Sequence, residues 1–398
     1  MAELEKVRTQ VYRCIRCMVC SSKYDYDKKV YRSCAVGEHS AGFWTNLPAG
    51  RTAIALEIID GNLTLSDLTN VSIEAIYECT LCANCRQQCG ALDLETFEPV
   101  IDIPAIVKAL RADIFAAGVE VPEGVARFGE AIEKTYNIFG APKEERADWL
   151  LPEIKVATYA DTVFFPGCLA AYRVPEIAQA TAKILNKLGI EFSILGEEEY
   201  CCGDPLIMTG QLSLAREVAR YNWERLKDKR VITSCAGCYR CFEDEYPKLL
   251  GQEFKLDTYH IVEMLAELIE DGELKFKKKG KGREKVTYHD PCELGREMKV
   301  YDEPRIIIEA IPGVELVEME RKRENTWCCG GGGGLKGVNY DLAIEVGKDK
   351  VEEALATGAK RIVSACPSCK ININDAIKAV GADLKAIDIT ELVAEALT

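Results

Sequence analysis

Ten of the nineteen cysteines in this chain fall into two copies of one pattern. The first copy is Cys168, then the adjacent pair Cys201-Cys202 followed by Gly203, then Cys235-Ala236-Gly237-Cys238. The second is Cys292, then Cys328-Cys329-Gly330, then Cys366-Pro367-Ser368-Cys369. The intervals are 32 and 32 residues in the first copy and 35 and 36 in the second. A pattern repeated at this length is an internal duplication, and it predicts two units of one fold. Adjacent cysteines cannot easily bridge to each other, because a disulfide needs a particular Cα separation and dihedral. Both can reach a single metal assembly. The second pair opens into five glycines, Gly330 to Gly334, where a backbone without Cβ atoms can approach a bulky inorganic group and turn its N–H groups toward it. Gly167, Gly203, Gly330 and Gly331, which flank these cysteines, are therefore candidates to line a cofactor.

Eight further cysteines lie in residues 1–100. One run is Cys14-x2-Cys17-x2-Cys20, with Cys34 after a longer gap; the other is Cys79-x2-Cys82-x2-Cys85-x3-Cys89. The second run is the bacterial ferredoxin spacing, with Gly90 where proline is usual. In two-cluster ferredoxins the last cysteine of each run serves the other cluster. Cys14, Cys17, Cys20 and Cys89 are thus expected on one cubane, and Cys79, Cys82, Cys85 and Cys34 on the other. A four-cysteine zinc site also uses Cys-x2-Cys pairs but has no need of triplets.

Between and after the runs the apolar spacing is helical, at 53–59, 65–76 and 103–117. From residue 162 onward strands and helices alternate. The first copy reads as a strand at 162–165, a helix at 174–188, a strand at 192–195, a helix at 212–226 and a strand at 231–233. The second reads as a strand at 285–288, a helix at 304–310, a strand at 314–317, a helix at 342–356, a strand at 361–363 and a final helix at 391–397. Such alternation implies parallel sheets with sites at the carboxyl ends of the strands. The expected fold class is α/β with a helical N-terminal part. Its divisions are a two-cluster module (1–100), a helical connection (101–157), a first cysteine-rich domain (158–274), a linker (275–284) and a second such domain (285–398). The lysine-rich 275–283 stretch reads as a solvated linker rather than a basic docking patch.

A net charge of −14 argues against nucleic acid and anionic membrane as direct partners. No run approaches the roughly 20 apolar residues of a membrane helix, so membrane association would pass through a partner. The N-terminal residues are polar and resemble no signal peptide, so the expected location is cytoplasmic, with cysteines kept reduced.

The whole pattern, a two-cluster ferredoxin run ahead of two Cys…Cys-Cys-Gly…Cys-x-x-Cys sets, resembles the D subunit of heterodisulfide reductase and its relatives. That resemblance covers nearly the whole chain. It implies a non-cubane [4Fe-4S] cluster on Cys168, Cys201, Cys202, Cys235 and Cys238, and another on Cys292, Cys328, Cys329, Cys366 and Cys369. With the two cubanes the total is four [4Fe-4S] clusters. It also implies two-electron reduction, or formation, of a small-molecule disulfide. The electrons would come from a flavin-containing or other donor subunit, since no flavin or nucleotide motif is visible. The rival implication is an electron relay with no substrate of its own, within a flavin-linked, cytochrome-linked or acyl-CoA reductase complex.

Four features stand beside this reading. Cys241 extends Cys235-x2-Cys238 by one more step and reads as a buried apolar thiol in preference to a ligand. Cys366-Pro367-Ser368-Cys369 alone would pass for a thioredoxin-type pair. Gly332 to Gly337 matches G-x-G-x-x-G but follows cysteines and lacks the acidic residue a dinucleotide site needs. His289, three residues before Cys292, is the candidate proton donor to a departing thiolate, with a turn-shaping hydrogen bond as the plainer role.

Overall fold

The computed structural model describes residues 2–24, 30–40, 43–276 and 283–397. Most of the lysine-rich linker lies outside these residues. A short antiparallel hairpin, β1 (Ser22–Tyr24) with β2 (Val30–Arg32), interrupts the N-terminal part. The rest of that part is helical, and its core gathers Ile58, Ile76, Ile106 and Leu110 from the helices Pro48–Ile59, Asn70–Tyr77 and Ile103–Ala116. The expected single helix over 65–76 is broken. Thr64 and Asp67 form a capping box on one short turn, and the Thr69 side chain restarts the helix by accepting from the Ser72 N–H.

Two parallel sheets follow. The first has the order β3 (Thr162–Phe164), β4 (Arg230–Thr233), β5 (Asp257–His260). The second has the order β7 (Val314–Leu316), β6 (Glu284–His289), β8 (Arg361–Ser364), β9 (Lys385–Asp388). Residues 192–195, expected as a strand, run beside β3 through one bridge: Ser193 N–H donates to Thr162 O, and Phe164 N–H to Ser193 O. They occupy the edge that β7 fills in the second sheet. The two sheets are therefore the same arrangement, with β3, β4 and β5 matching β6, β8 and β9. Sequence patterning missed β5 and β9, along with the helices Ile261–Glu270 and Pro367–Val380.

The two units are packed reciprocally. Helix Pro175–Lys187 of the first lies against Ile389–Leu397 of the second, and helix Ile261–Glu270 of the first lies against Glu303–Ala310 of the second. Because Pro175–Lys187 matches Glu303–Ala310 and Ile261–Glu270 matches Ile389–Leu397, each contact is the counterpart of the other. This is the geometry of a two-fold dimer built within one chain. A single apolar core containing Ile177, Leu265, Ile308 and Val393 runs through both units. The packing turns the carboxyl ends of the two sheets toward each other.

Candidate metal centres

All nineteen cysteines are free thiols. The structure gathers them into groups. Cys20 lies among Cys14, Cys89 and Cys17, and Cys85 lies among Cys79, Cys82, Cys20 and Cys34, so the two groups adjoin at Cys20 and Cys85. Each N-terminal loop is bent by two residues in the left-handed region. These are Arg16 and Met18 in the first run, and Leu81 and Ala83 at the same positions of the second. The bends turn successive thiols toward one point.

In the first sheet unit, thiol contacts run in a chain from Cys168 to Cys201, Cys202, Cys238 and Cys235, and Cys241 also lies against Cys202. Cys168 and Cys238 sit in the first turns of short helices after β3 and β4, and Cys235 caps the second of these. Gly203 takes φ +93°, which lets the chain turn sharply after the cysteine pair. Gly330 does the same at +85° in the second unit. A Cβ on Gly167 would come within 2.8 Å of Cys238 Sγ, so that glycine leaves room for the sulfur.

In the second unit Cys329 Sγ is 3.2 Å from Cys369 Sγ, Cys366 is beside Cys369, and Cys292 faces Cys328. Gly330 N–H donates to Cys328 Sγ at 3.3 Å and Gly331 N–H to Cys329 Sγ at 3.4 Å. Neighbouring thiols, Cys328 first and then Cys369, hold Cys329 well below the usual thiol range. Most other cysteines are pushed upward, Cys82, Cys168, Cys238 and Cys369 by a neighbouring thiol first and then by burial, and Cys20, Cys34, Cys85 and Cys292 by burial first.

One feature joins the modules. Cys82 of the second N-terminal run lies beside Cys328. The glycine run makes this contact possible. A Cβ on Gly333 would lie 2.4 Å from Cys79 O, and one on Gly332 3.0 Å from Thr80 O. The glycines are therefore the seat of the N-terminal module as well as a flank of the cysteine pair.

Buried arginines, which sequence reasoning passed over, surround the thiol groups. Arg111 donates to the carbonyls of Ile76, Tyr77, Cys79, Met208 and Gly333, and so ties all three modules together. Arg296 donates to Cys82 O, Glu324 O and Thr326 O, and its charge faces Cys82, Cys292 and Cys328. Arg51 is near Cys34 and donates to Ala75 O. Arg146 donates to Cys168 Sγ at 3.4 Å and pairs with buried Glu199, which in turn accepts from Gly167 N–H. Arg51, Arg111 and Arg296 are fully buried and show no ion pair with a carboxylate among the described residues. The Nη2 groups of Arg51 and Arg296 have no partner there either. An uncompensated buried cation is costly. These arginines fit sites whose thiolates and inorganic core together carry negative charge.

His289 ends β6 and is buried, with Nδ1 and Nε2 both unpartnered among the described residues. A ring nitrogen and the sulfurs of Cys329 and Cys369 lie within 4.8 Å of one another. Burial, and then the nearby Lys350, lower its pKa to about 3. The alternative role, a turn-shaping hydrogen bond, is not made among the described residues.

A cavity of about 870 Å³ lies between the sheet units. Cys168, Cys201, Cys202, Cys235 and Cys238 line one side, and Cys366 with Gly331 to Gly334 the other. Phe128, Phe139, Met208 and Ile371 give it apolar walls, and Arg173, Lys336 and Lys378 stand among its lining residues.

Known proteins share this layout. A family model described as a cysteine-rich domain matches residues 162–243 and again 286–374, and one described as a 4Fe-4S dicluster domain matches 10–91. The D subunit of the dihydromethanophenazine:CoB--CoM heterodisulfide reductase of Methanosarcina barkeri is 40% identical over 81% of this chain and 78% of its own length. The chain belongs to the heterodisulfide reductase D-subunit family. It is an iron–sulfur oxidoreductase. The B subunit of the fumarate reductase (CoM/CoB) of Methanothermobacter marburgensis is 31% identical over 80% of this chain and 61% of its own length. The EtfAB:quinone oxidoreductase of Syntrophomonas wolfei is 31% identical over 82% of this chain and 47% of its own length. Among the described residues no helix is long and apolar enough to cross a membrane.

Proposed function

We propose that this chain is the cytoplasmic, iron–sulfur subunit of a redox complex, and that it reduces, or in reverse forms, a small-molecule disulfide. The supporting observation is that one cavity opens onto thiols of both five-cysteine sets. A disulfide seated there would have one sulfur toward each set, and positioning of this kind is where an enzyme gains most over solution.

In this reading Cys14, Cys17, Cys20 and Cys89 hold one cubane, and Cys34, Cys79, Cys82 and Cys85 the other. Cys168, Cys201, Cys202, Cys235 and Cys238 hold one non-cubane cluster, and Cys292, Cys328, Cys329, Cys366 and Cys369 the second. When bound, the four clusters supply the electrons, which a partner subunit with flavin or another donor group delivers. The protein's own part is electrostatic and steric. Arg51, Arg111, Arg146 and Arg296 offset the negative charge of the thiolates, and the N–H groups of Gly330 and Gly331 add to this. The apolar walls exclude water from the reacting sulfurs. His289 places a ring nitrogen, without a partner among the described residues, beside Cys329 and Cys369, where it can hydrogen-bond to whatever occupies that end.

The test is anaerobic. Given reduced viologen and a panel of disulfides, iron-loaded protein is expected to release thiols from at least one of them. Absence of turnover with every disulfide would favour the second reading, a relay without its own substrate. That reading draws support from relatives whose names carry fumarate and quinone reactions. Cys329→Ala is expected to lose about one cluster's iron and to spare the N-terminal pair; unchanged iron would remove Cys329 from the ligand set.

A further inference from the structure

The register of the second sheet sets three polar side chains in a row. His289 of β6 pairs with Ser364 of β8, and Ser364 pairs with Asp388 of β9. Residues in register on adjacent strands project from the same face, about 4.8 Å apart. All three are buried. Each has polar capacity left over among the described residues: both ring nitrogens of His289, the Ser364 hydroxyl and Asp388 Oδ2. Buried polar atoms nearly always find partners. Four unpartnered ones along a single row, spaced for water to bridge, form a route for protons.

The row runs from the thiols toward the cavity rim. At its inner end a ring nitrogen of His289 lies within 4.8 Å of the Cys329 and Cys369 sulfurs. At its outer end Asp388 Oδ1 accepts from the Thr390 N–H at 2.9 Å and the Thr390 hydroxyl at 2.7 Å, which leaves Oδ2 for the row. Asp388 N–H donates to Glu391, and Lys370 donates to Glu391 and to Glu176, a residue of the cavity lining. Asp388 is thus faced by Thr390 and Glu391 of the helix that follows it, by Lys370 of Pro367–Val380 and by Tyr288 of β6. His289 is faced by Lys350 and Glu353 of helix Tyr340–Ala356, by Asp290 and by Arg296. Burial raises the pKa of Asp388 to about 7, against the bonds from Thr390. The first unit has no such route. By the same count its row is Phe165, Thr233 and His260. Phe165 is apolar, the Thr233 hydroxyl accepts from Cys235 N–H at 3.3 Å, and burial lowers the His260 pKa to about 3.

We infer that Asp388 is the proton store of the second five-cysteine set, with Ser364 and His289 as the path from it to the sulfurs. The inference deepens the proposed disulfide chemistry and rests on reading Cys292, Cys328, Cys329, Cys366 and Cys369 as one cluster's ligands. An electron arriving at so buried a site adds negative charge that water screens poorly. Asp388 takes up a proton from solvent in response, by way of the rim beside Glu176. When a disulfide gains two electrons its S–S bond breaks and two thiolates form. The one at the second set takes the stored proton. That proton leaves Oδ2, passes the Ser364 hydroxyl and enters one nitrogen of His289 as the other nitrogen gives one up, so the ring is neutral before and after. The thiolate at the first set, which lacks the row, takes its proton from solvent.

The experiment is a redox titration of the anaerobic, iron-loaded full chain at several pH values, followed by electron paramagnetic resonance. The second set's signal is the one that Cys329→Ala removes. In wild-type chain its potential is expected to be level below about pH 7 and to fall above it, by about 59 mV for a tenfold rise in the proton affinity of Asp388 on reduction. Asp388→Asn keeps the size of the side chain and its bonds from Thr390, and is expected to level the potential with iron content unchanged. Reduced-minus-oxidised infrared spectra above pH 7 are expected to show a carboxylic-acid band that this variant lacks. In viologen-driven thiol release, Asp388→Asn and Ser364→Ala are each expected to lower kcat about tenfold or more with KM unchanged, and Ser364→Thr, which keeps the hydroxyl, to retain it. A level potential in wild-type chain, or a slope and band that survive in Asp388→Asn, would overturn the store. Full kcat in Ser364→Ala would overturn the path. If no disulfide turns over, the disulfide reading falls, while the potential and the infrared band still decide whether Asp388 holds the proton.

Discussion

The two sheet units are duplicates that have come to do different things. Both keep five thiols, a glycine at positive φ after the cysteine pair, and the same strand order. Both also keep a subtler feature. Cys241 and Asn372 occupy equivalent positions, three residues past Cys238 and Cys369. Cys241 Sγ donates to Cys202 O at 3.2 Å, and Asn372 Nδ2 donates to Cys329 O at 2.5 Å. Each bond fixes the carbonyl of the second cysteine in the pair. The units diverge at the third residue before the lone cysteine. There the second has His289, and the first has Phe165, which stacks edge-on against Phe242. They diverge again after the pair, where Gly203 leads into Asp204 and a helix, but Gly330 leads into the glycine run that seats the N-terminal module. The cysteines and their support are common to both units, while the second alone has a histidine beside its thiols, His289, and the close thiol contact with the N-terminal loops.

The comparison can be broken in three places. The largest effect is expected from Arg111→Met, which leaves the carbonyls it now bridges across three modules without their donor. Stability should fall by on the order of 3 kcal/mol, measured by chemical unfolding of the loaded chain, and an unchanged midpoint would show that the modules do not depend on this tie. Next is Gly333→Ala. Its Cβ would meet Cys79 O at 2.4 Å, in a left-handed turn, so a loss of about 1–3 kcal/mol is expected. Gly90→Ala, with open space around it, should change little. Equal effects would mean that the glycine run is not a seat. The smallest effect is expected from Cys241→Asn, which copies the second unit into the first. Iron content should be unchanged and stability should move by less than about 1 kcal/mol; loss of a cluster's iron would make Cys241 a ligand.

Periodicity found the helix Leu212–Leu226 to the residue, because its apolar face is regular and Gly210 precedes it. It missed β5 and β9, since Asp257–His260 and Lys385–Asp388 are short and carry polar residues that the sheet still pairs. The cysteines were legible because thiol spacing reports ligand geometry directly. The arginines were not, because nothing local distinguishes a buried Arg111 from a solvated one.

The sequence by itself determined the thiol sets, the duplication and the α/β plan, since each depends on spacing along the chain. Only the tertiary structure decided which set meets which: that the two units pack as reciprocal halves, that Cys82 reaches Cys328, and that Cys17 does not have such a neighbour among the described residues. Those contacts join residues hundreds of positions apart, and they are fixed by the packing of whole helices and by the room that glycine leaves, neither of which a local pattern encodes.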